Sequence, residues 1–594
     1  MKRSIRGLPV MRWIQKYRVP VIAVVCVVLS FSLRFYHLDF RSIWMDEERQ
    51  AQIAGSGFDL GMAGRAAGQH QPPIDYYLEA VGISIFGKTE IGARIHAAVM
   101  GALSVLLFLC LLRQHFKGQK LVYVSAVLFL FDVFHIRYSQ EGRPIATGVF
   151  GALFYVTAVF NWMKENSFGR QRILDVTVLF AANVFLLLSV GLQPIPFLAA
   201  SSMALLPGMF IRSLRRRVAA TWLIALASLL VCYPIISLSI SEGGSYLGDK
   251  SLMARLGALV HALPKIGKAT WSLKLKEIFH NYQPMAMLLA VPGIAGIVRS
   301  WIERQDDRLR LLSTYAVLFV VVFPPVFDVL FVSQINYNIK PRYFATYQPM
   351  LFLCLSVLIY HSFILMRFLP PLTAKWGTRG LYALFALFFV FSFVQNGAKL
   401  IGEYENHSTA GWRQLYAFFR EEGNTGDVAY MMNLNRFGRL DPFFHAIPFY
   451  YKKKDSRPVA LRNTRQLLSD YEKDRIKNKS LFIVTAYGND NLSEVYFRGI
   501  ENVRYRAFPS LAVIQVTNIV QTSDIKDVFR IFVERLTPHA ENFRAFYILA
   551  KMLLHDGEEN EAEDIIGKLS ALDKNRRFQK EIVGALRSEL REKK

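Results

Sequence analysis

IHAAVMGALSVLLFLCLL, residues 95–112, runs for eighteen residues without a Lys, Arg, Asp or Glu. Wound as an α-helix it reaches about 27 Å, close to the roughly 30 Å of hydrocarbon in a bilayer. The same reading repeats along the chain, in apolar blocks near 19–35, 95–112, 120–136, 144–162, 173–190, 194–211, 218–238, 284–301, 311–332, 344–366 and 380–397. Composition agrees, with 53% apolar and 13% aromatic residues and a positive mean hydropathy, too apolar for an ordinary soluble chain. The sequence therefore predicts a polytopic α-helical membrane protein of about eleven transmembrane helices over residues 1–397.

Orientation follows from Lys and Arg in the short loops, which stay on the cytoplasmic side when positively charged. With the N-terminus inside, the inside segments hold 23 Lys or Arg in 67 residues, whereas the longer outside loops before residue 344 hold 15. That asymmetry predicts a cytoplasmic N-terminus and an exported C-terminus. The net charge of +25 comes largely from inside loops such as RSLRRR and RQDDRLR, which read as anchors against anionic lipid rather than as a nucleic-acid surface. No nucleic-acid partner is expected. Cys26, Cys110, Cys232 and Cys354 all lie in apolar blocks, so no disulfide framework is expected. The first block has no small-residue cleavage pattern after it and reads as an uncleaved anchor.

This topology puts the polar clusters on one outer face. The first outer loop, 36–94, opens with SIWMDEERQAQIA (42–54), where Asp46, Glu47 and Glu48 stand side by side, and continues with GQHQPPIDYY (68–77). Later outward ends carry RYSQEGRP (137–144), HNYQP (280–284) and NIKPRYF (338–344). A site on such a face, in a compartment without nucleotides, calls for a lipid-borne substrate. The inside loops show no Walker A or Rossmann glycine motif.

At these residues the chain resembles the GT-C superfamily of integral-membrane glycosyltransferases, in particular bacterial members related to protein O-mannosyltransferases and to the lipid A aminoarabinose transferase. The pattern is Trp44-x-Asp46-Glu47, then Pro72-Pro73 with the aromatic-rich run behind it. YSQEGRP, KPRYFATYQP and the Trp-Arg of GWRQLYAFF follow in order, so that the resemblance covers roughly residues 19–420. It implies a polyprenyl-phosphate sugar as donor and a carboxylate of the first loop acting on the acceptor. Carried over, Asp46 is the candidate general base, with Glu47 beside it. The chemistry fits, since displacement at an anomeric carbon needs a carboxylate to take the hydroxyl proton, and adjacent carboxylates raise each other's proton affinity. The plainer alternative puts the acids in the first turn of an interfacial helix, where the dipole favours them. Glu48 reads as a solvated helix residue.

The donor phosphate calls for Arg, Lys or Tyr at the outer surface. Arg143, Arg342, Lys340, Tyr343 and Tyr138 are the candidates, and the alternative for each is an interface anchor, the role expected of Arg137. Pro144 after Arg143 marks a helix start. Where relatives read His-Pro-Pro this chain reads Gln71-Pro72-Pro73, with His70 one residue earlier. His70, Gln71 and His280 are substrate-loop candidates or plain polar loop residues. No ligand-spaced partner follows the histidines, so a divalent cation is left open and no other cofactor is expected.

Residues 239–283 are too polar to span and read as surface-lying helices, either covering the site or merely connecting. From 398 to 520 short β-branched and aromatic runs (GDVAYMM, SLFIVTAYG, LAVIQVTN) alternate with helical stretches, which predicts a soluble periplasmic α/β domain. Residues 521–594 read as helical, with one tetratricopeptide-like unit marked by Ala545, Leu549, Gly557 and Ala562. The tail either binds a partner or caps the domain.

The resulting expectation is an inverting, polyprenyl-phosphate-dependent glycosyltransferase of a bacterial inner membrane, acting on a lipid, glycan or protein acceptor at the periplasmic side. The alternative is a transporter or flippase of a lipid-linked saccharide. Transporters place polar residues at mid-membrane on repeated halves, and here the block centres are nearly free of charge with no internal repeat.

Overall fold

The computed structural model describes residues 24–43, 45–59, 61–67, 72–116, 122–164, 170–191, 193–241, 282–303, 306–327, 341–366, 371–406, 412–423, 427–431, 459–477, 480–486, 502–508, 511–517, 519–535, 543–572 and 577–593. Two compact units hold them. One comprises Met1–Asp39 with Gln50–Asn406, the other Phe40–Arg49 with His407–Lys594.

The first unit is a helical bundle. Its elements are α1 (Val24–Phe35), the end of α2 (Met45–Ala54), α3 (Gly61–Ala67), α4 (Ile74–Phe86), α5 (Glu90–His115), α6 (Tyr123–Leu130), α7 (Val133–Ser139), α8 (Ile145–Trp162), α9 (Arg170–Ser189), α10 (Pro194–Ala204), α11 (Arg215–Ser241), α12 (Gln283–Ile302), α13 (Asp307–Phe327), α14 (Gln348–Met366) and α15 (Pro371–Asn406). A 3₁₀ segment, Pro341–Tyr347, leads into α14. Eight helices among the described residues are long and apolar enough to cross a membrane. Two further apolar blocks hold shorter helices, Val24–Phe35 and Pro194–Phe210.

The block 120–136 differs from a single span. It is split at Asp132 into α6 and α7, because the Asp132 carboxylate accepts from the His135 amide at 2.8 Å and caps a new helix, satisfying an amide that the interrupted ladder leaves over. The last span also outruns the expected limit of 397, reaching Asn406; Lys399 to Glu405 leave the apolar register but contain no proline to break the backbone ladder. The expected surface helices of 239–283 fall, from 242 to 281, outside the described residues.

Aromatic rings fill the bundle's core. Phe319 and Phe323 of α13 stack at 5.5 Å, and Tyr347 stacks on Phe323 at 4.7 Å. Two glycines permit close approach where the polar loops are anchored. A Cβ on Gly101 would strike Ser139 of α7, and one on Gly148 would strike Val190 and press on Thr346 of the 3₁₀ segment. All four cysteines are free.

The second unit contains Phe40–Arg49 with α16 (Trp412–Glu422), a five-stranded sheet and five more helices. The strands are β1 (Asp427–Met431), β2 (Val459–Asn463), β3 (Leu481–Ala486), β4 (Val503–Phe508) and β5 (Leu511–Val516), in the order β2-β1-β3-β5-β4. β1 runs parallel to β2 and β3, while β5 is antiparallel to β3 and β4. Side chains alternate across the sheet. Leu481 and Ile483 face α17 (Thr464–Glu472), α18 (Ser523–Arg535) and α19 (Phe543–Asp556), whereas Phe482 meets Phe418 and Phe419 of α16. α20 (Glu559–Leu572) returns along α19 through Gly557, whose φ of 79° gives the turn its left-handed step. Ala545, Leu549 and Ala562 are buried between the two, and α18 and α21 (Arg577–Lys593) flank the pair, covering the faces that a lone unit leaves open.

Candidate active site

Asp46, Glu47 and Glu48 occupy the first turn of α2, where unpaired amides and the helix dipole favour negative charge. Asp46 is half-buried and Glu47 wholly buried. Glu48 corrects the expectation of a solvated residue: it too is wholly buried, because the stretch before it is packed rather than solvated. Ile43 is 0% exposed, and the Ser42 hydroxyl accepts from the Arg413 amide at 3.3 Å beside a fully buried Trp412. The acidic segment of the first loop thus belongs to the same unit as the Trp-Arg pair near the head of α16.

The first unit gathers the expected cationic residues. Tyr138 of α7, Arg143 in the turn before α8, and Arg342 and Tyr343 of the 3₁₀ segment are all half-buried. Burial pushes the Tyr138 phenol up to about 12, the Glu141 carboxylate adds to the rise, and Arg137, Arg342 and Arg143 oppose it from within electrostatic reach. The guanidinium of Arg137 lies 5.8 Å from the Tyr138 ring and 3.6 Å from Glu141, and that of Arg342 lies 5.7 Å from the Tyr343 ring. Two turns far apart in sequence, 137–143 and 341–343, therefore bring their guanidinium groups within electrostatic reach of one tyrosine. Arg143 precedes Pro144 at the N-terminus of α8, an arrangement suited to an anion. A phosphate among these groups would meet planar, charged donors.

The turn that carries Tyr138 and Arg143 is pinned from below. Gln140 donates to the carbonyls of Leu33 and Tyr36 at 3.2 and 2.8 Å. Arg34 of α1, 0% exposed, donates to His135 Nδ1 at 2.7 Å. Asp132, besides capping α7, accepts from Gln348 at 2.5 Å and from Tyr282 at 3.0 Å, and Asn396 donates to that same phenol at 2.5 Å. One buried carboxylate so links α7, α12, α14 and α15, and such a network is rigid because each broken bond strands a buried polar group.

A second buried carboxylate, Asp75 of α4, contacts Gln50, Thr147 and His96. Lys340, His70, Gln71 and His280 lie outside the described residues. Arg34, Asp75, His96, Asp132 and His135 are buried, partnered polar residues that sequence reasoning does not single out. The signal for Arg34, His96, Asp132 and His135 is a charged or imidazole side chain inside or at the rim of an apolar block, as in LFLFDVFHIRY and ARIHAAVM, whereas Asp75 has no such signal. Among the described residues no three His, Cys, Asp or Glu stand together as a metal site.

Residues 70–237 match the family model described as dolichyl-phosphate-mannose-protein mannosyltransferase. Over 173 residues the chain is 30% identical to an undecaprenyl phosphate-alpha-4-amino-4-deoxy-L-arabinose arabinosyl transferase of Pseudomonas savastanoi pv. phaseolicola, a match that covers 28% of this chain and 32% of that one. The aligned stretch thus spans about a third of that relative's length. In fold, the chain is similar to ArnT from Cupriavidus metallidurans in the apo state, with a TM-score of 0.52 at 14% identity, over 85% of this chain and 99% of that one. These findings agree with the resemblance drawn from the motifs: residues 70–237 match the dolichyl-phosphate-mannose-protein mannosyltransferase model, and the fold is similar to that of ArnT.

Proposed function

We propose that the protein is an inverting glycosyltransferase that moves a sugar from a polyprenyl phosphate to an acceptor hydroxyl on the periplasmic face of an inner membrane. The observation that carries this reading is the packing of the 3₁₀ segment that bears Arg342 against α8, whose start carries Arg143, within a chain whose relative is named for an undecaprenyl-phosphate sugar. Asp46 takes the acceptor's hydroxyl proton, with Glu47 beside it in the same helical turn. The acceptor oxygen then bonds to the anomeric carbon from the face opposite the phosphate. The carbon–oxygen bond to the phosphate breaks, and the polyprenyl phosphate leaves with the electron pair. Arg143 and Arg342 hold the charge that grows on it, the kind of fixed electrostatic support that lowers such a barrier most. Lys340, Tyr343 and Tyr138 complete the phosphate's surroundings in this scheme, and His70, Gln71 and His280 are assigned to the substrate loops.

The positive balance of the inside loops supports a cytoplasmic N-terminus and a periplasmic tail. The acceptor is a lipid, a glycan or a protein of the envelope.

The test is transfer by the protein in lipid nanodiscs, offered a panel of undecaprenyl-phosphate sugars and a lipid A acceptor, with Asp46→Asn and EDTA arms alongside. Consumption of one donor that falls at least about 100-fold in the folded variant supports the reading, since a positioned general base contributes on the order of 10²–10⁴. Full activity of Asp46→Asn removes that residue from the mechanism. Turnover that EDTA abolishes and Mg²⁺ or Mn²⁺ restores adds a divalent ion to the scheme.

A further inference from the structure

Asp75 has no part in the scheme above, yet it is a carboxylate held by three buried partners. It stands in the first turn of α4. Gln50 Nε2 of α2 donates to its Oδ2 at 2.5 Å, and Thr147 Oγ1 of α8 donates to its Oδ1. His96 Nε2 of α5 lies 3.4 Å from that same Oδ1, a close polar contact rather than an aligned hydrogen bond. Exposure is 0% for Asp75 and Thr147, 4% for Gln50 and 5% for His96. Four elements therefore converge on one buried carboxylate, where a missing partner is costly and the geometry is correspondingly fixed.

Two of the three partners belong to elements that carry the proposed chemistry. Gln50 is one helical turn beyond Asp46 on α2, and Thr147 lies four residues after Arg143, in the first turn of α8. We infer that Asp75 is a positioning residue, whose carboxylate clamps the base-bearing helix α2 onto the helix that starts at the donor-phosphate turn. It touches no reacting atom. Its work is to hold the end of α2 still, so that the carboxylates one turn earlier act from a fixed backbone. The inference rests on the glycosyltransferase reading for its consequence in catalysis, but the clamp itself is a matter of structure and is tested separately.

The experiment compares wild type, Asp75→Asn and the exchange Asp75→Asn/Gln50→Glu in nanodiscs. Two readouts are taken: hydrogen–deuterium exchange of peptides covering α2 and the start of α8, and kcat and KM for the donor. In the single variant a neutral amide with one acceptor oxygen replaces a charged carboxylate with two, so α2 should exchange about tenfold faster, from the loss of one charge-assisted bond. Transfer should lose about 10- to 100-fold in kcat, the scale of a small misplacement of reacting groups, with KM held within about threefold. In the exchange variant the amide introduced on α4 donates to the carboxylate introduced on α2, and both readouts should return most of the way to wild type. A merely structural role would lower thermal stability without splitting kcat from KM. Unchanged α2 exchange in Asp75→Asn, or a doubly substituted protein no better than the single one, overturns the clamp. Should Asp75→Asn fail to fold, Gln50→Leu, which leaves the carboxylate with Thr147 and His96, is read by the same criteria. A wild type that consumes no donor overturns the glycosyltransferase reading, and the exchange data then judge the clamp alone.

Discussion

Within five residues of its start, α8 serves two opposite environments. Thr147 points to a carboxylate with no exposed surface, closed by Gln50 and His96. Arg143, just before the helix, sits half-buried in a group with Tyr138, Arg137 and Arg342. The first is a strut: it is closed and matched by partners from three other elements. The second keeps access to solvent and concentrates guanidinium groups, three of which act on one phenol against a single carboxylate. Burial separates the roles. A buried charge is held in place by its partners and gains nothing from a ligand, whereas a half-buried cationic group can exchange water for a phosphate.

The largest expected effect strikes the open side. Replacing both arginines, Arg143→Gln with Arg342→Gln, should weaken undecaprenyl-phosphate binding by at least about 100-fold, since each charge-assisted hydrogen bond contributes about 1.5–3 kcal/mol. Binding measured by tryptophan fluorescence or calorimetry in nanodiscs checks it, and an unchanged Kd would mean that these arginines are interface anchors.

An intermediate effect tests the support beneath that side. Gln140→Leu leaves the carbonyls of Leu33 and Tyr36 without its amide, which should cost about 1–3 kcal/mol. The midpoint of thermal unfolding should drop by a few degrees, and donor affinity should fall less than tenfold. A loss of affinity as large as that of the arginine pair would place Gln140 in the phosphate's own shell.

The smallest effect is expected for Tyr138→Phe, a change of no more than about fivefold in donor KM, because a neutral hydroxyl is worth about 1 kcal/mol. Its titration sharpens the point. With the phenol raised to about 12, the native state keeps its proton after the unfolded chain, near 10, has lost it. Tyr138 therefore makes the fold less stable as pH climbs from about 10 to about 12 and has no effect below that window. Wild type and Tyr138→Phe should accordingly share one pH–rate profile below pH 9. A limb that disappears in the variant would make Tyr138 an acid or base of the reaction.

Legibility differs between these regions for a physical reason. Arg143 and Arg342 are readable because they precede or follow prolines at the ends of apolar blocks, where a cation at the membrane surface stands out. Asp75 lies within the motif-bearing stretch QPPIDYY but carries no mark of its own there, since its importance lies in partners 25, 21 and 72 residues away. Asp132 goes unremarked inside the expected span 120–136 and is a helix cap that, with Tyr282, ties four elements together. Glu48 departs from its expected exposure because the dipole argument predicts where an acid is welcome in a helix, not which side of the helix is covered.

By itself, the sequence determined that the chain is a polytopic membrane protein, roughly where its apolar blocks lie, and which turns carry the charges. Hydrophobic transfer acts locally along each block and leaves its mark in composition. The packing of the 3₁₀ segment 341–347 on α8, the closure around Asp75 and the membership of Phe40–Arg49 in the unit of the C-terminal sheet were decided only by tertiary structure. Pairwise polar contacts depend on distances between elements far apart in the chain, and those distances exist only once the helices have packed.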